Sequence, residues 1–203
     1  TATDNVLITA DTIKPTANAG LDDTITCTTP SIVLGTTAVA GNSYVWSPPL
    51  GLNNPNIAQP TASQPNTYTL TVTKNSNGCT ATDAVTILRD TVKPVANAGR
   101  DSLLTCAVLS IPIGTTAVPG MNYTWSPSGG LSSSSSAQPN ASLPNTYTVT
   151  VTNPINGCSK SDAVVITQNI IKPVANAGRD SLLTCVVTAI PIGAAPVAGM
   201  TYT

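Results

Sequence analysis

The sequence predicts an all-β protein of tandem antiparallel β-sandwiches, with about seven strands in each unit. Three observations predict it: self-similarity at a constant offset of 79, short runs of strictly alternating apolar and polar side chains, and turn-forming clusters between them with no helical periodicity. The period is marked by Lys14-Pro15, Lys93-Pro94 and Lys172-Pro173, whose numbers rise by 79 at each step. Aligned without a gap, residues 14–92 and 93–171 are identical at 43 of 79 positions, and residues 172–203 match 93–124 at 24 of 32. Residues 3–13 align with 82–92 at the same offset. The expected division is the last strand of a preceding repeat over 1–13, complete repeats over 14–92 and 93–171, and the first half of a further repeat over 172–203. The chain reads as a window on a longer array.

Each element follows from local pattern. Residues 32–39 (IVLGTTAV) read as an early strand, and 43–47 as another around Trp46. Residues 67–73 (TYTLTVT) and 146–152 (TYTVTVT) alternate strictly, which sets Tyr68, Leu70 and Val72 on one face and the threonines on the other. Residues 83–88 (DAVTIL) form the last strand, and Pro, Gly, Asn and Ser clusters separate the runs. Pro112 and Pro191, aligned with Val33, remove a ladder donor, so that strand position belongs at an edge or a bulge.

Composition narrows the function. A unit of this size has a small core, and this one has no Phe and one Trp per complete copy, with 33 Thr in the chain. Eight basic and nine acidic side chains, all the acids Asp, give no basic footprint for nucleic acid. No apolar run reaches the roughly 18 residues of a membrane span. With no His and no Glu, the usual triads, zinc sets and paired glutamates lack their parts, and the Asp22-Asp23 pair becomes Asp101-Ser102 in the next copy; an enzyme is not expected. Cys27 and Cys79 stand at the same separation as Cys106 and Cys158, an offset of 52, while the counterpart of Cys185 falls beyond the chain end. One pair per copy, with neither His nor CxxC, reads as a disulfide formed in an oxidising compartment.

PVANAGRDSLLT (94–105), SIPIG (110–114), YTWSP (123–127), NTYTVTVT (145–152) and SDAVVI (161–166) resemble PKD-type immunoglobulin-like domains over the whole copy. The combination of YxWSP, GL, P-N-T-Y and N-G-C is similar to repeats in giant surface adhesins of gliding bacteria and their type IX secreted proteins. The acidic loop that many PKD domains carry after the second strand reads GTTAVPGMNY (114–123) here, without its Asp residues. The cysteine spacing also departs from antibody domains: the offset from Cys27 to Trp46 is 19, and that from Tyr68 to Cys79 is 11. Cys27 is expected to end the strand before SIVLG and Cys79 to begin the last strand, giving a peripheral staple within each copy, Cys27 to Cys79 and Cys106 to Cys158.

Further residues invite two readings each. Asp11, Asp22, Asp90 and Asp101 lie near the copy boundaries, where carboxylates hold calcium or cap turns; no other cofactor is expected. Thr12, Thr24, Thr91, Ser102 and Ser181 follow Asp and precede an apolar residue, like the O-glycosylation motif of gliding bacteria, or are turn-to-strand dipeptides in a Thr-rich chain. Trp46 and Trp125, with Tyr68 and Tyr147, read as core, or as a sugar-stacking platform with Tyr44 and Tyr123. The resemblance implies a structural repeat of an extracellular bacterial surface adhesin, stalk or filament. Its partners would be other copies of itself, in tandem or laterally, with a surface polysaccharide or another cell at a distant tip. An accessory carbohydrate-binding module is the alternative.

Overall fold

The computed structural model describes residues 3–199 and 201. The described residues are all-β, with six strands in each complete repeat. The first has β1 (Asp23–Ile25), β2 (Ile32–Val33), β3 (Asn42–Ser47), β4 (Thr61–Ala62), β5 (Asn66–Lys74) and β6 (Thr80–Arg89). The second has β7 (Ser102–Thr105), β8 (Ile111–Pro112), β9 (Asn122–Ser126), β10 (Asn140–Ala141), β11 (Asn145–Thr152) and β12 (Ser159–Asn169). Each repeat packs a four-stranded sheet, β1-β6-β5-β3 or β7-β12-β11-β9, against a two-stranded one, β2-β4 or β8-β10. This is a small immunoglobulin-like sandwich. Its central strands are antiparallel, but β1 runs parallel to β6, with Asp23 beside Ile87 and Ile25 beside Arg89.

The alternating threonine strand organises each sheet. In β5, Tyr68, Leu70 and Val72 are buried while the intervening threonines stay at the surface, because neighbouring side chains on a strand face opposite ways. Leu70 lies opposite Trp46 and Tyr68 opposite Val85, so three strands meet in one layer. Trp46 and Trp125 fill the two separate cores, and each satisfies its indole N–H on a backbone carbonyl, Ile57 and Ser136, both at 2.9 Å. The Tyr68 hydroxyl donates toward the carbonyls of Leu50 (3.1 Å) and Gln64 (3.0 Å); Tyr147 does the same to Gly129 and Leu143.

The second strand is shorter than the pattern 32–39 predicts. The ladder stops at Val33 because β4 offers only Thr61 and Ala62 as partners. Gly35 then turns to φ +73 and gives its N–H to Ala19 at 2.9 Å; a Cβ there would strike the Ala58 carbonyl. That bond is not extended into a ladder, so the segment before β1, although Ala19 packs in the core beside Ile32 and Ala62, adds no strand and the described repeat has six. Pro112 sits in β8, whose other edge is unpaired, and Pro191 lies in no strand.

Residues 3–13, expected as a last strand, form none. In the aligned segment, β6 is held between β5 and β1, whereas among the described residues no strand pairs with 3–13. Residues 172–199 also lack strands but keep two backbone bonds of the complete copies, the turn that the Thr184 N–H closes on Val187 and the longer-range bond from the Gly193 N–H to Ala177, both 2.9 Å. Of the segments 1–13 and 172–203 expected as parts of further repeats, residues 1, 2, 200, 202 and 203 lie outside the described residues.

Candidate functional site at the repeat junction

The two sandwiches join end to end through Asp90, Thr91 and Val92, and the chemistry concentrates at that joint. As β6 ends, the Asp90 N–H bonds the Ile25 carbonyl at 2.9 Å, holding the linker beside the turn that follows β1. Against this packs the loop between β11 and β12. It is a tight turn, closed by Gly157 N–H to Asn153 (2.8 Å) and Asn153 N–H to Cys158 (2.9 Å). Asn156 is 1% exposed, the one buried polar residue recorded among the described residues. Its Oδ1 accepts the Cys158 N–H at 2.9 Å, and its Nδ2 donates to Asp90 Oδ1 at 2.8 Å and to the Val92 carbonyl at 3.1 Å. Its own carbonyl accepts the Cys27 N–H at 3.1 Å. One side chain thus satisfies the loop, the linker and itself, as a buried amide must. Gly157 has φ +66 and lies so close to Thr28 that any side chain there would collide with it.

A disulfide crosses this interface: Cys27 of the first repeat is bonded to Cys158 of the second, with Cα atoms 5.1 Å apart and a sequence separation of 131. The pairing expected from spacing, Cys27 with Cys79 and Cys106 with Cys158, is therefore overturned. The reason is the parallel edge. Because β1 ends beside the end of β6, Cys27 lies at one end of the sandwich, while Cys79 precedes the start of β6 at the other. About ten residues of strand, roughly 30 Å, separate the two, far beyond the reach of about 7 Å between bonded Cα atoms. Stacking the repeats head to tail instead brings Cys27 to Cys158.

Cys79 and Cys106 are free, the first partly buried and the second exposed, and Cys185 is free and exposed. Around Cys79 the joint recurs. Asn77 Oδ1 accepts the Cys79 N–H at 2.9 Å and its Nδ2 donates to the Ile13 carbonyl at 3.0 Å. Asp11, the counterpart of Asp90, pairs with Lys74 at 3.0 Å. That hydrogen bond, with one from the Ile13 N–H, holds the Asp11 carboxyl below its ordinary range.

The remaining sequence candidates are placed separately. Asp22 Oδ1 accepts the Thr86 N–H at 2.7 Å and Asp101 Oδ1 the Val165 N–H at 2.8 Å; both carboxylates fasten backbone at the parallel edge. Among the described residues no three His, Cys, Asp or Glu side chains gather as a metal site. Thr12, Thr91 and Ser181 are exposed, whereas Thr24 and Ser102 are half-buried in β1 and β7. Trp46 and Trp125 are buried, while Tyr44 and Tyr123 are half-buried and accept the N–H groups of Val39 and Val118. No helix is long and apolar enough among the described residues to cross a membrane. Sequence reasoning missed Asn77 and Asn156 as chemistry, although N-G-C at the same place in both copies was the visible signal.

No family model and no curated protein matches the chain. Among solved structures, the I-band fragment I67-I69 from titin aligns at 13% identity and a TM-score of 0.39, over 73% of this chain and 62% of that one. Extracellular cadherin domains 1–4 of protocadherin gamma B7 align at 13% identity and 0.34, over 74% and 49%. The titin tandem A164-A165 aligns at 10% and 0.27, over 76% and 95%. The chain thus spans less than two thirds of the first two, and its immunoglobulin-like assignment rests on its own strand order.

Proposed function

We propose that the chain is a structural segment of a long extracellular bacterial surface adhesin, stalk or filament, whose repeats set distance and stiffness and do no chemistry. The covalent joint carries this reading. Linkers between sandwiches usually leave domain motion free, but here Asn156 is buried against the linker and Cys27 is bonded across the interface. Such a joint suits a rod. The disulfide favours an oxidising compartment outside the cytosol, and the bacterial surface is what the resemblance to adhesin repeats implies. The hydroxyl-rich outer faces of β5 and β11 suit lateral packing or a glycan coat, and Thr12 and Thr91, exposed beside the joints, are the best placed acceptors. With Trp46 and Trp125 buried, the carbohydrate-binding alternative has no indole platform.

Electron microscopy of the native cell surface tests the proposal. Rods with an axial repeat of about 35–40 Å, one sandwich length at roughly 3.3 Å per strand residue, are the expected result. Flexible beads with no fixed spacing would count against it.

A further inference from the structure

The joint between the two complete repeats is held by contacts that use no sulfur. Asn156 donates from Nδ2 to Asp90 Oδ1 at 2.8 Å and to the Val92 carbonyl at 3.1 Å, and Gly157 is seated against Thr28. The same residue orients both cysteines. Asn156 Oδ1 accepts the Cys158 N–H at 2.9 Å and its backbone carbonyl accepts the Cys27 N–H at 3.1 Å. Cys158 Sγ lies 3.8 Å from that carbonyl, within reach of it as a thiol donor when reduced.

Both surfaces take their shape from bonds inside their own repeats. The turn that bears Cys27 is closed by Thr26 N–H to the Thr29 carbonyl and by Thr29 N–H to Thr26 Oγ1, both 3.0 Å. The loop that bears Cys158 is closed by Gly157 N–H to Asn153 at 2.8 Å. Asn77, the counterpart of Asn156, reaches the linker before its own repeat in the same way, Nδ2 to the Ile13 carbonyl at 3.0 Å, beside a Cys79 that carries no bond. Docking of loop on linker thus needs no disulfide. The two sulfurs also differ in access, since Cys27 is exposed and Cys158 is buried.

We propose that Asn156 is the positioning residue for the Cys27–Cys158 bond: it docks the second repeat on the linker first and reversibly, Cys27 then takes the oxidant, and Cys158 completes the bond. The exposed Cys27 thiolate attacks a low-molecular-weight disulfide such as oxidised glutathione, forming a mixed disulfide and releasing one glutathione thiolate, which takes up the Cys27 proton. Cys158 then attacks the Cys27 sulfur, loses its proton to solvent and releases the second glutathione. Two thiols have been oxidised by two electrons and one disulfide reduced. Docking makes the second attack intramolecular and raises the effective concentration of this pair over every other. In repeats that carry cysteines at the same places, docking selects by position a partner that spacing leaves ambiguous. The order concerns how the joint closes and not what the rod is for, so its failure would leave the spacer reading standing.

The test uses the full chain carrying Cys79→Ser, Cys106→Ser and Cys185→Ser, equilibrated with reduced and oxidised glutathione to give the effective concentration of Cys27 and Cys158. Asn156→Asp keeps an acceptor for the Cys158 N–H but sets a carboxylate against Asp90. It should lower that effective concentration about tenfold or more, the equivalent of one hydrogen bond to a charged group, while Trp125 fluorescence shows the second repeat still folded. Adding Asp90→Asn restores a donor opposite the new carboxylate and should recover most of the loss, which a role confined to the fold of the loop would not produce. In the reduced parent, Cys158 should be alkylated more slowly than Cys27. An effective concentration unchanged by Asn156→Asp, no recovery with Asp90→Asn, or equal alkylation of the two thiols would each overturn the proposal.

Discussion

Reduction of Cys27–Cys158 should do more than loosen a joint; it should uncouple the unfolding of two domains. In the chain-entropy account, a bond at a sequence separation of 131 stabilises against the unfolding of both repeats together by about 5 kcal/mol. Unfolding one repeat alone leaves a shorter loop, because the other, folded, fixes the linker beside the bond: residues 93–158 or 27–92, equal in length. Each single event is then opposed by about 4 kcal/mol. The two penalties together exceed the joint one by about 4 kcal/mol, so once one repeat opens its neighbour loses most of the protection. Oxidised protein should therefore unfold in one step and reduced protein in two independent ones. Spread over the two complete repeats at the usual unfolding entropy per residue, the joint term corresponds to about 15 °C in midpoint. Each repeat holds one tryptophan, so the chains Trp46→Phe and Trp125→Phe report the repeats separately by fluorescence. Coincident oxidised midpoints that fall and separate in reductant are expected. Separate oxidised midpoints, or a shift under about 5 °C, would refute the coupling.

Other expectations follow from single contacts. Asn156→Ala leaves the buried Cys158 N–H without an acceptor and should cost about 2 kcal/mol in urea denaturation, while Asn77→Ala, at the half-buried counterpart, should cost clearly less. Tyr147→Phe removes the hydroxyl that ties Gly129 and Leu143 to β11, a loss of about 1–2 kcal/mol. Burial pushes the Tyr68 and Tyr147 phenols above their ordinary 10.0. A raised phenol favours the folded state fully below the unfolded value and loses that contribution as pH climbs through the folded one, so stability should fall only in strong alkali, with two late tyrosinates in the ultraviolet titration. Asp11 has the opposite sign. Its lowered carboxyl supports the Lys74 contact above the ordinary aspartate range and releases it as pH falls through the shifted value; Lys74→Ala should move the Asp11 titration, followed by NMR, back up.

What the sequence discloses depends on how local the cause is. Alternation writes β5 and β11 directly, since each second residue must face the core, and the single Trp of each copy finds that core. The Pro112 edge is legible for a like reason: a missing N–H is a property of one residue. The disulfide is not local. In a periodic chain, a bond from Cys27 to Cys79 and one from Cys27 to Cys158 have the same signature, because the two separations differ by one whole period. Only the parallel course of β1 along β6 decides between them, and no residue of Asp23–Ile25 announces its direction. β2 ended early for a related reason: its length was set by the two-residue β4, a partner with no pattern of its own.

The bond also rewrites which covalent path carries a pull along the array. The backbone from Lys14 to Ile171 runs through both complete repeats, but the shortest route follows 14–27, crosses to Cys158 and continues over 158–171, less than a fifth of that length. Fully taut, that route measures about 100 Å, against roughly 550 Å for the backbone alone. The two sandwiches already span about 70–80 Å when folded. With the pull applied at Lys14 and Ile171, everything between Cys27 and Cys158 is thus slack. Under load the pair acts as a cord of nearly fixed length, and its domains can melt without paying out chain until sulfur parts from sulfur.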